Sequence, residues 1–166
     1  MGMGGIFFRR RQRAPVEVLN DINGDLVNLF RVIQRHEAAF LDAMRWALSS
    51  RAEFNRLLKT DPTTLTDIER AVRLYTMQRM NYGGLPDSES FPTTAMRAKA
   101  FNTESLRRTL RRAHARLTGV TIECLPYHEL IARYDRPARC STSTRPTTAM
   151  RPTTARASSR APTSPV

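Results

Sequence analysis

The stretch that decides the fold is MGMGGIFF at residues 1–8, followed after a basic spacer by VEVLNDINGDLVNLF at residues 16–30. It predicts a glycine loop, a short strand that ends in an acid, and a helix. Many nucleotide-binding proteins hold their cofactor in this way, because the strand places the acid at its carboxyl end and nearby glycines let the backbone approach the ligand. Gly2, Gly4 and Gly5 lack the spacing G-x-G-x-x-G, so the stretch is not a dinucleotide fingerprint.

The charge of the chain favours a polyanionic partner. Its 166 residues carry a net charge of +12 with an isoelectric point near 11.2, and this length predicts one domain with a modest core. Residues 138–166 contribute five positive charges and no acid, so the remaining chain still carries +7. A basic field of this size favours nucleic acid. The alternative is a basic protein with a disordered tail.

Cysteine usage and apolar patterning predict a cytoplasmic protein. Cys124 and Cys140 are too few for a disulfide framework or a zinc cluster, which indicates free thiols in a reducing compartment. No apolar run approaches the length of a membrane span, and the apolar residues 6–8 precede the arginines instead of following them, as they would in a signal peptide. The three histidines show no metal-ligand spacing, so no metal is predicted.

Apolar periodicity and capping residues predict a mostly helical chain with two short strands. Helices are predicted at 24–36, 37–48, 50–59, 66–80, 103–117 and 127–134, and strands at 16–19 and 120–125. Four apolar residues at helical spacing are predicted to lie in the core: Phe40, Met44, Trp46 and Leu48. Residues 81–102 form a long loop, which is usually functional or mobile. The Ser, Thr, Arg and Pro composition of residues 138–166 predicts disorder.

Three motifs near the amino terminus resemble the adenine-specific DNA methyltransferases of the Dam type. Members of this family carry a glycine motif like EPF-x-G-x-G-G, a strand ending in N-D-x-N and a helix beginning D-L-[IV]-N. Residues 2–5 match the end of the first motif, residues 20–23 the second and residues 25–28 the third. The Glu-Pro-Phe part does not precede the glycines, so the family comparison implies a chain truncated at its amino terminus. The resemblance continues to about Pro137.

The resemblance implies an α/β fold in which an incomplete Rossmann-like methyltransferase sheet carries a helical DNA-recognition insert and a disordered carboxyl-terminal tail. Residues 1–36 correspond to the cofactor-binding portion and residues 37–117 to the insert. Residues 118–137 return to the sheet, and residues 138–166 form the tail. The implied substrates are double-stranded DNA and the methyl donor S-adenosylmethionine.

The family comparison also assigns site residues. Asp21 would accept hydrogen bonds from the ribose hydroxyls, and Tyr127, after the second strand, would stack on the adenine. The cofactor candidates are Gly2, Gly4, Gly5, Asn20, Asp21 and Tyr127. The alternative for Asp21 is a turn or helix-cap residue. The DNA-binding candidates are Arg79, Asn81, Tyr82, Arg97, Lys99, Arg108, Arg111 and Arg112. The last three share one flank of a helix, which suits phosphate contact or, as the alternative, a solvated face.

The catalytic element of the family, a DPPY motif, is absent from the translated chain, so no catalytic residue is assigned. A displaced reading frame from Ala138 onward permits TLFYLDPPYYG, which is the sequence that the family has at this place. We therefore predict a frameshifted tail and little or no turnover. A genuine basic tail that binds acidic partners is the alternative. The other predicted functions are a non-enzymatic basic DNA-binding protein and an interaction protein that uses the arginine-rich tail.

Overall fold

The computed structural model describes residues 4–48, 50–80 and 103–134. Its helices and strands, in chain order, are α1 (Gly5–Arg9), β1 (Val18–Asn20), α2 (Gly24–Arg35), α3 (Glu37–Arg45), α4 (Arg51–Lys59), α5 (Asp67–Met80), α6 (Thr103–Leu117), β2 (Thr121–Glu123) and α7 (Tyr127–Tyr134). A short 3-10 turn, Pro62–Thr64, precedes α5. The described part is thus mostly helical with a small sheet. The predicted loop at 81–102 and the predicted tail at 138–166 lie outside the described residues.

The sheet consists of β1 and β2, which are parallel. Val18 pairs with Thr121, Leu19 with Ile122 and Asn20 with Glu123. The chain between the two strands contains α2 to α6, because parallel neighbours require a crossover connection. This arrangement fits an incomplete α/β fold. The strands differ from the predicted segments: 16–19 becomes Val18–Asn20, which starts two residues later and ends one residue later, and 120–125 shortens to Thr121–Glu123.

In the described residues, a hydrophobic cluster joins the sheet to α2, α3, α5 and α6. The apolar face of α2 lies at its centre. Leu19 and Ile122 of the sheet belong to the same buried cluster as Phe40 of α3, Leu74 of α5 and Leu110 of α6. Burial of this apolar area is the main stabilising contribution to the fold. The helices α3, α5 and α6 of the predicted insert therefore share this core with the sheet and pack chiefly against α2 and one another.

Capping side chains set where the helices begin. Asn23 Oδ1 accepts hydrogen bonds from the backbone N–H groups of Asp25 and Leu26 at the start of α2. Thr66 and Glu69 form a reciprocal capping box before α5, in which the Glu69 carboxylate accepts from the Thr66 N–H at 3.0 Å. Ser50 caps α4 through the Glu53 N–H. These starts agree with the sequence prediction.

Two predictions were wrong in the described residues. A short helix, α1, stands where a glycine loop was predicted. Helix α3 ends at Arg45 instead of residue 48, so the helical spacing does not continue to Trp46 and Leu48. Trp46 is 80% exposed and Leu48 is 67% exposed, whereas Phe40 and Met44 are buried as predicted.

A bidentate ion pair joins the segment before β1 to α6. Both guanidinium Nη atoms of Arg116 donate to the Glu17 carboxylate, at 2.5 and 2.6 Å, and each side chain is 12% exposed. The same guanidinium lies 3.7 Å from the centre of the Phe7 ring. The pKa of Glu17 is lowered, chiefly by the hydrogen bond from Arg116.

We expect this pair to make the protein sensitive to acid. Because the pKa of Glu17 is lower in the folded state than in the unfolded chain, its stabilising contribution is complete at neutral pH. It is lost as the pH falls from the ordinary glutamate pKa, about 4.3, through the lower folded value. Glu17→Gln should lower the free energy of unfolding by roughly 1–2 kcal/mol at pH 7. The further loss of stability at low pH should be smaller than in the wild type. Urea unfolding from pH 7 to pH 3 checks this, with Asp42→Asn, from an exposed pair, as control. Equal pH profiles for wild type and Glu17→Gln would contradict it.

Candidate functional site

The parallel strands end at one edge of the sheet, and the chain segments after them lie side by side there. Asp21 follows β1, and residues 124–127 follow β2. The Asp21 N–H donates to the Glu123 carbonyl at 3.4 Å. Ligands of open parallel sheets bind beyond the carboxyl ends of the strands, so this carboxyl edge is the candidate site.

Asn20 fixes the two segments to each other. Its Nδ2 donates to the Leu125 carbonyl at 2.8 Å, and its Oδ1 accepts from the Leu125 N–H at 2.8 Å. Both polar groups of the side chain are therefore used across a sequence separation of 105 residues. Predicted as a cofactor residue, Asn20 holds the carboxyl edge together in this structure. Its proposed contribution to ligand binding is to position its neighbour Asp21.

Asp21 begins the turn into α2. Its Oδ1 accepts from the Asn23 N–H at 3.0 Å, and Asn23 in turn caps the helix. This is the turn role that the sequence left open as the alternative. The same hydrogen bond fixes the direction of a half-buried carboxylate at the end of a parallel strand. The turn therefore fits a ligand-binding role as well.

Tyr127 lies at the start of α7, on the same edge. The residue is 72% exposed, and its ring contacts His128 edge to face, with 5.7 Å between the ring centres. Helix α7 is held on the sheet by Tyr134, whose hydroxyl donates to Glu123 Oε1 at 2.7 Å. Ile22 is exposed on the other segment of the edge. The edge thus presents an open aromatic ring and an apolar side chain near a carboxylate.

The glycines at the amino terminus have different surroundings. Gly4 is buried with φ 72°, and a Cβ added to it would come within 2.7 Å of the Phe8 ring and 3.4 Å of the Phe30 ring. Gly5 is exposed and a Cβ there would meet nothing within 4 Å. Packing of Phe8 over the backbone therefore explains why position 4 is glycine. Gly2 lies outside the described residues.

Substitution of these two glycines should have opposite consequences. Gly4→Ala is expected to lower the free energy of unfolding by about 1–3 kcal/mol, because the left-handed backbone is strained for alanine and the Cβ would displace Phe8. Gly5→Ala, the matched control, should be neutral or slightly stabilising, since alanine favours the helix. Thermal unfolding of both variants tests this. Equal melting temperatures would show that the Phe8 contact does not require glycine.

Two cavities, of about 490 and 370 Å³, lie beside α2 and share Arg31 and Arg35. The larger is lined by Arg31, Gln34, Arg35, Val120, Thr121 and Ile122. The smaller reaches the carboxyl edge at Gly24 and Cys124. Asp21 and Tyr127 line neither cavity. The sequence prediction missed the arginines of α2, whose positions four residues apart on one helix face were the available signal.

The polar residues of α2 are mainly structural. The Arg70 guanidinium of α5 forms an ion pair with Asp25, and Asn28 Nδ2 donates to the Asp67 carbonyl at 2.8 Å. Both contacts join α2 to α5. The Asp-Leu-Val-Asn sequence at residues 25–28 therefore has a packing role in this fold.

The DNA-binding candidates of the described residues lie on two helices. Arg108, Arg111 and Arg112 are exposed on α6, while Leu106, Leu110 and Leu117 are buried on its other side. None of the three arginines forms an ion pair within the described ranges. Arg79, exposed at the end of α5, has its guanidinium 6.0 Å from the centre of the Tyr75 ring. Asn81, Tyr82, Arg97 and Lys99 lie outside the described residues.

The side chains at the carboxyl edge suit a nucleoside ligand. A carboxylate accepts hydrogen bonds from two neighbouring hydroxyls, and an exposed tyrosine ring stacks on a planar base. Within residues 4–48, 50–80 and 103–134, no group of three His, Cys, Asp or Glu residues is arranged to hold a metal ion. Over the same ranges, no helix has both the length and the hydropathy for crossing a bilayer.

A family model described as D12 class N6 adenine-specific DNA methyltransferase matches residues 1–139. No curated protein gives a significant match. The matched residues include both strands and all the described helices.

Proposed function

Because the chain belongs to the D12 class of N6 adenine-specific DNA methyltransferases, we propose that its carboxyl edge binds S-adenosylmethionine and that its basic helices bind duplex DNA. The family acts by N6 methylation of adenine in DNA. The observation that carries the proposal is the placement of Asp21, at the end of a parallel strand and directly beside the segment that bears Tyr127. Action on DNA also fits the cytoplasmic location predicted from the sequence.

The residues of the carboxyl edge have defined tasks in this proposal. The Asp21 carboxylate accepts hydrogen bonds from the ribose hydroxyls, and Tyr127 stacks on the adenine ring. Asn20 holds the two segments at the spacing that the ligand requires. The family motif assigns Gly2, Gly4 and Gly5 to the methionine end. In this chain Gly4 packs against the Phe8 ring and Gly5 begins α1, so the proposal gives these glycines no contact with the ligand. When bound, the cofactor supplies the methyl group.

We also propose that the translated chain has little or no turnover. The exocyclic amine of adenine is a poor nucleophile, because its lone pair is delocalised into the ring. In the family a DPPY motif accepts hydrogen bonds from this amine and stacks on the base, which must first leave the helix stack. No DPPY motif occurs in the sequence. A reading-frame displacement near codon 138 is our explanation, and the nucleotide sequence there is its direct test.

The decisive experiment measures binding and transfer separately. Calorimetric titration should show S-adenosylmethionine binding, and a methyl-incorporation assay on duplex DNA should show no transfer above background. Robust incorporation would overturn the proposed inactivity. If neither the cofactor nor its demethylated product binds, the assignment of the carboxyl edge is overturned.

A second candidate is a basic DNA-binding protein without enzymatic activity. It is favoured by the exposed arginines of α6, which lack ion-pair partners within the described ranges. DNA binding that falls steeply with salt and is the same with and without cofactor would support this function. Tighter DNA binding in the presence of cofactor would support the methyltransferase assignment instead.

A further inference from the structure

The amino edge of the sheet, opposite the candidate cofactor site, collects a second group of basic side chains. Since β1 and β2 are parallel, the segment before β1 and the end of α6 before β2 meet at this edge. The segment before β1 contains Arg9, Arg10, Arg11 and Arg13. The sequence alone marked it only as a basic spacer.

Three contacts fix this segment on the last turns of α6. The Arg13 Nη2 donates to the Ala115 carbonyl at 2.7 Å. The Phe7 ring lies under the Arg116 guanidinium, and Arg116 binds the Glu17 carboxylate with both Nη atoms. The chain from Phe7 to Glu17 is therefore attached to the helix at its beginning, middle and end.

This attachment brings exposed arginines from two parts of the chain to the same edge of the sheet. Arg112 lies one turn before Arg116 and so shares its side of α6. Arg9, Arg10, Arg11 and Arg112 are all exposed, and none forms an ion pair with a described residue. We call these four residues the amino-edge arginine surface. The nearby acid, Glu17, is already neutralised by Arg116, so the surface keeps its positive charge.

We propose that the amino-edge arginine surface is a second binding site for the phosphate backbone of duplex DNA. The choice of DNA as the partner rests on the proposed function. Arginine is suited to phosphate because its guanidinium donates in a planar fork and keeps its charge. The duplex carries a negative charge every 1.7 Å or so along its axis, so each of these side chains finds a phosphate within reach.

Helix α6 connects this surface to the DNA-binding candidates. Arg108 and Arg112 lie four residues apart, about 6 Å along the helix axis, and Arg112 lies one turn before Arg116, to which the segment before β1 is attached. A duplex that contacts Arg108 thus continues onto the amino edge. The site would hold DNA that flanks the target adenine, since the candidate cofactor site is at the opposite edge of the sheet.

The test compares two triple substitutions in the full chain. R9Q/R10Q/R11Q removes three charges from the proposed surface. R51Q/R56Q/K59Q removes the same number of positive charges from exposed positions on α4, where Arg56 pairs with Glu53, and is the control for total charge. Binding of a fluorescein-labelled duplex is followed by anisotropy between about 50 and 200 mM salt. Circular dichroism verifies that both variants fold.

The first variant should lower the slope of log affinity against log salt by about 2–3 and weaken binding about tenfold or more at the lowest salt. The control should lower the slope by less than about one. Equal effects in the two variants, or no effect in the first, would overturn the proposal. The proposal would also be overturned if R9Q/R10Q/R11Q lost binding to phosphatidylserine vesicles while its DNA binding stayed unchanged, because that would indicate a lipid surface as the partner.

Cofactor titration of the same proteins separates this inference from the proposed function. R9Q/R10Q/R11Q should bind S-adenosylmethionine as the wild type does. A wild-type protein that binds no cofactor, yet shows the expected difference in salt slope, would refute the methyl-donor site and support the DNA surface.

Discussion

Asp21→Ala is expected to weaken S-adenosylmethionine binding about 10- to 100-fold. Hydrogen bonds to a charged group contribute about 1.5–3 kcal/mol, and each 1.4 kcal/mol changes affinity about tenfold. The carboxylate is held in place by the Asn23 N–H at 3.0 Å, so little entropy remains to be lost when the ribose binds. Calorimetric titration measures the change directly.

Asp21→Asn is the control that separates ligand binding from the turn. Asparagine keeps an oxygen for the Asn23 N–H and is as suitable for this turn as aspartate, but it lacks the charge and one acceptor. We expect Asp21→Asn to have the melting temperature of the wild type. Its affinity for the cofactor should lie between those of the wild type and Asp21→Ala. If both variants bind the cofactor as the wild type does, Asp21 is a turn residue alone.

Phe40→Ala is expected to lower the free energy of unfolding by about 3–5 kcal/mol. Phe40 is fully buried, and its ring meets Tyr75 edge to face, with 5.8 Å between the ring centres. Because small domains are stable by only about 5–15 kcal/mol, this loss would leave a marginal fold. Urea unfolding followed by circular dichroism gives the value.

Trp46→Ala is the matched control, because it removes a larger aromatic side chain from an exposed position one residue beyond α3. Its effect should stay within about 0.5 kcal/mol. Since Phe40 belongs to the cluster that includes the strands, Phe40→Ala should also shift the whole unfolding transition. Two separate transitions would show that the helices from residue 37 onward unfold independently of the sheet.

The elements that the sequence predicted well are those with strong local signals. Helix α5 begins after a reciprocal capping box, and α6 has a continuous apolar stripe opposite its arginines. Helix α1 was missed because five residues that begin with glycine show no helical periodicity. The prediction for Trp46 was wrong because apolar spacing alone does not show that α3 ends at Arg45.

The candidate site was predictable in part for a similar reason. The position of Asp21 after a strand follows from local pattern. The role of Asn20 depends on Leu125, which becomes its neighbour only through the register of β1 on β2. The amino-edge arginine surface depends in the same way on Arg13 reaching Ala115. Contacts across a hundred residues leave no periodic trace in a single sequence.

Arg31 and Gln34 of α2, which help to line the larger cavity, make the outer edges of β1 and β2 unequal. Gln34 Nε2 donates to the Val120 carbonyl at 2.8 Å, and Arg31 Nη2 donates to the Ile122 carbonyl at 3.3 Å. These are the acceptors that β2 would offer to a further strand, so the outer side of β2 is already occupied by side chains. A further strand could pair with this edge of β2 only by displacing the Arg31 guanidinium and the Gln34 amide. Any further strand, from the same molecule or from another, must therefore pair with the outer edge of β1.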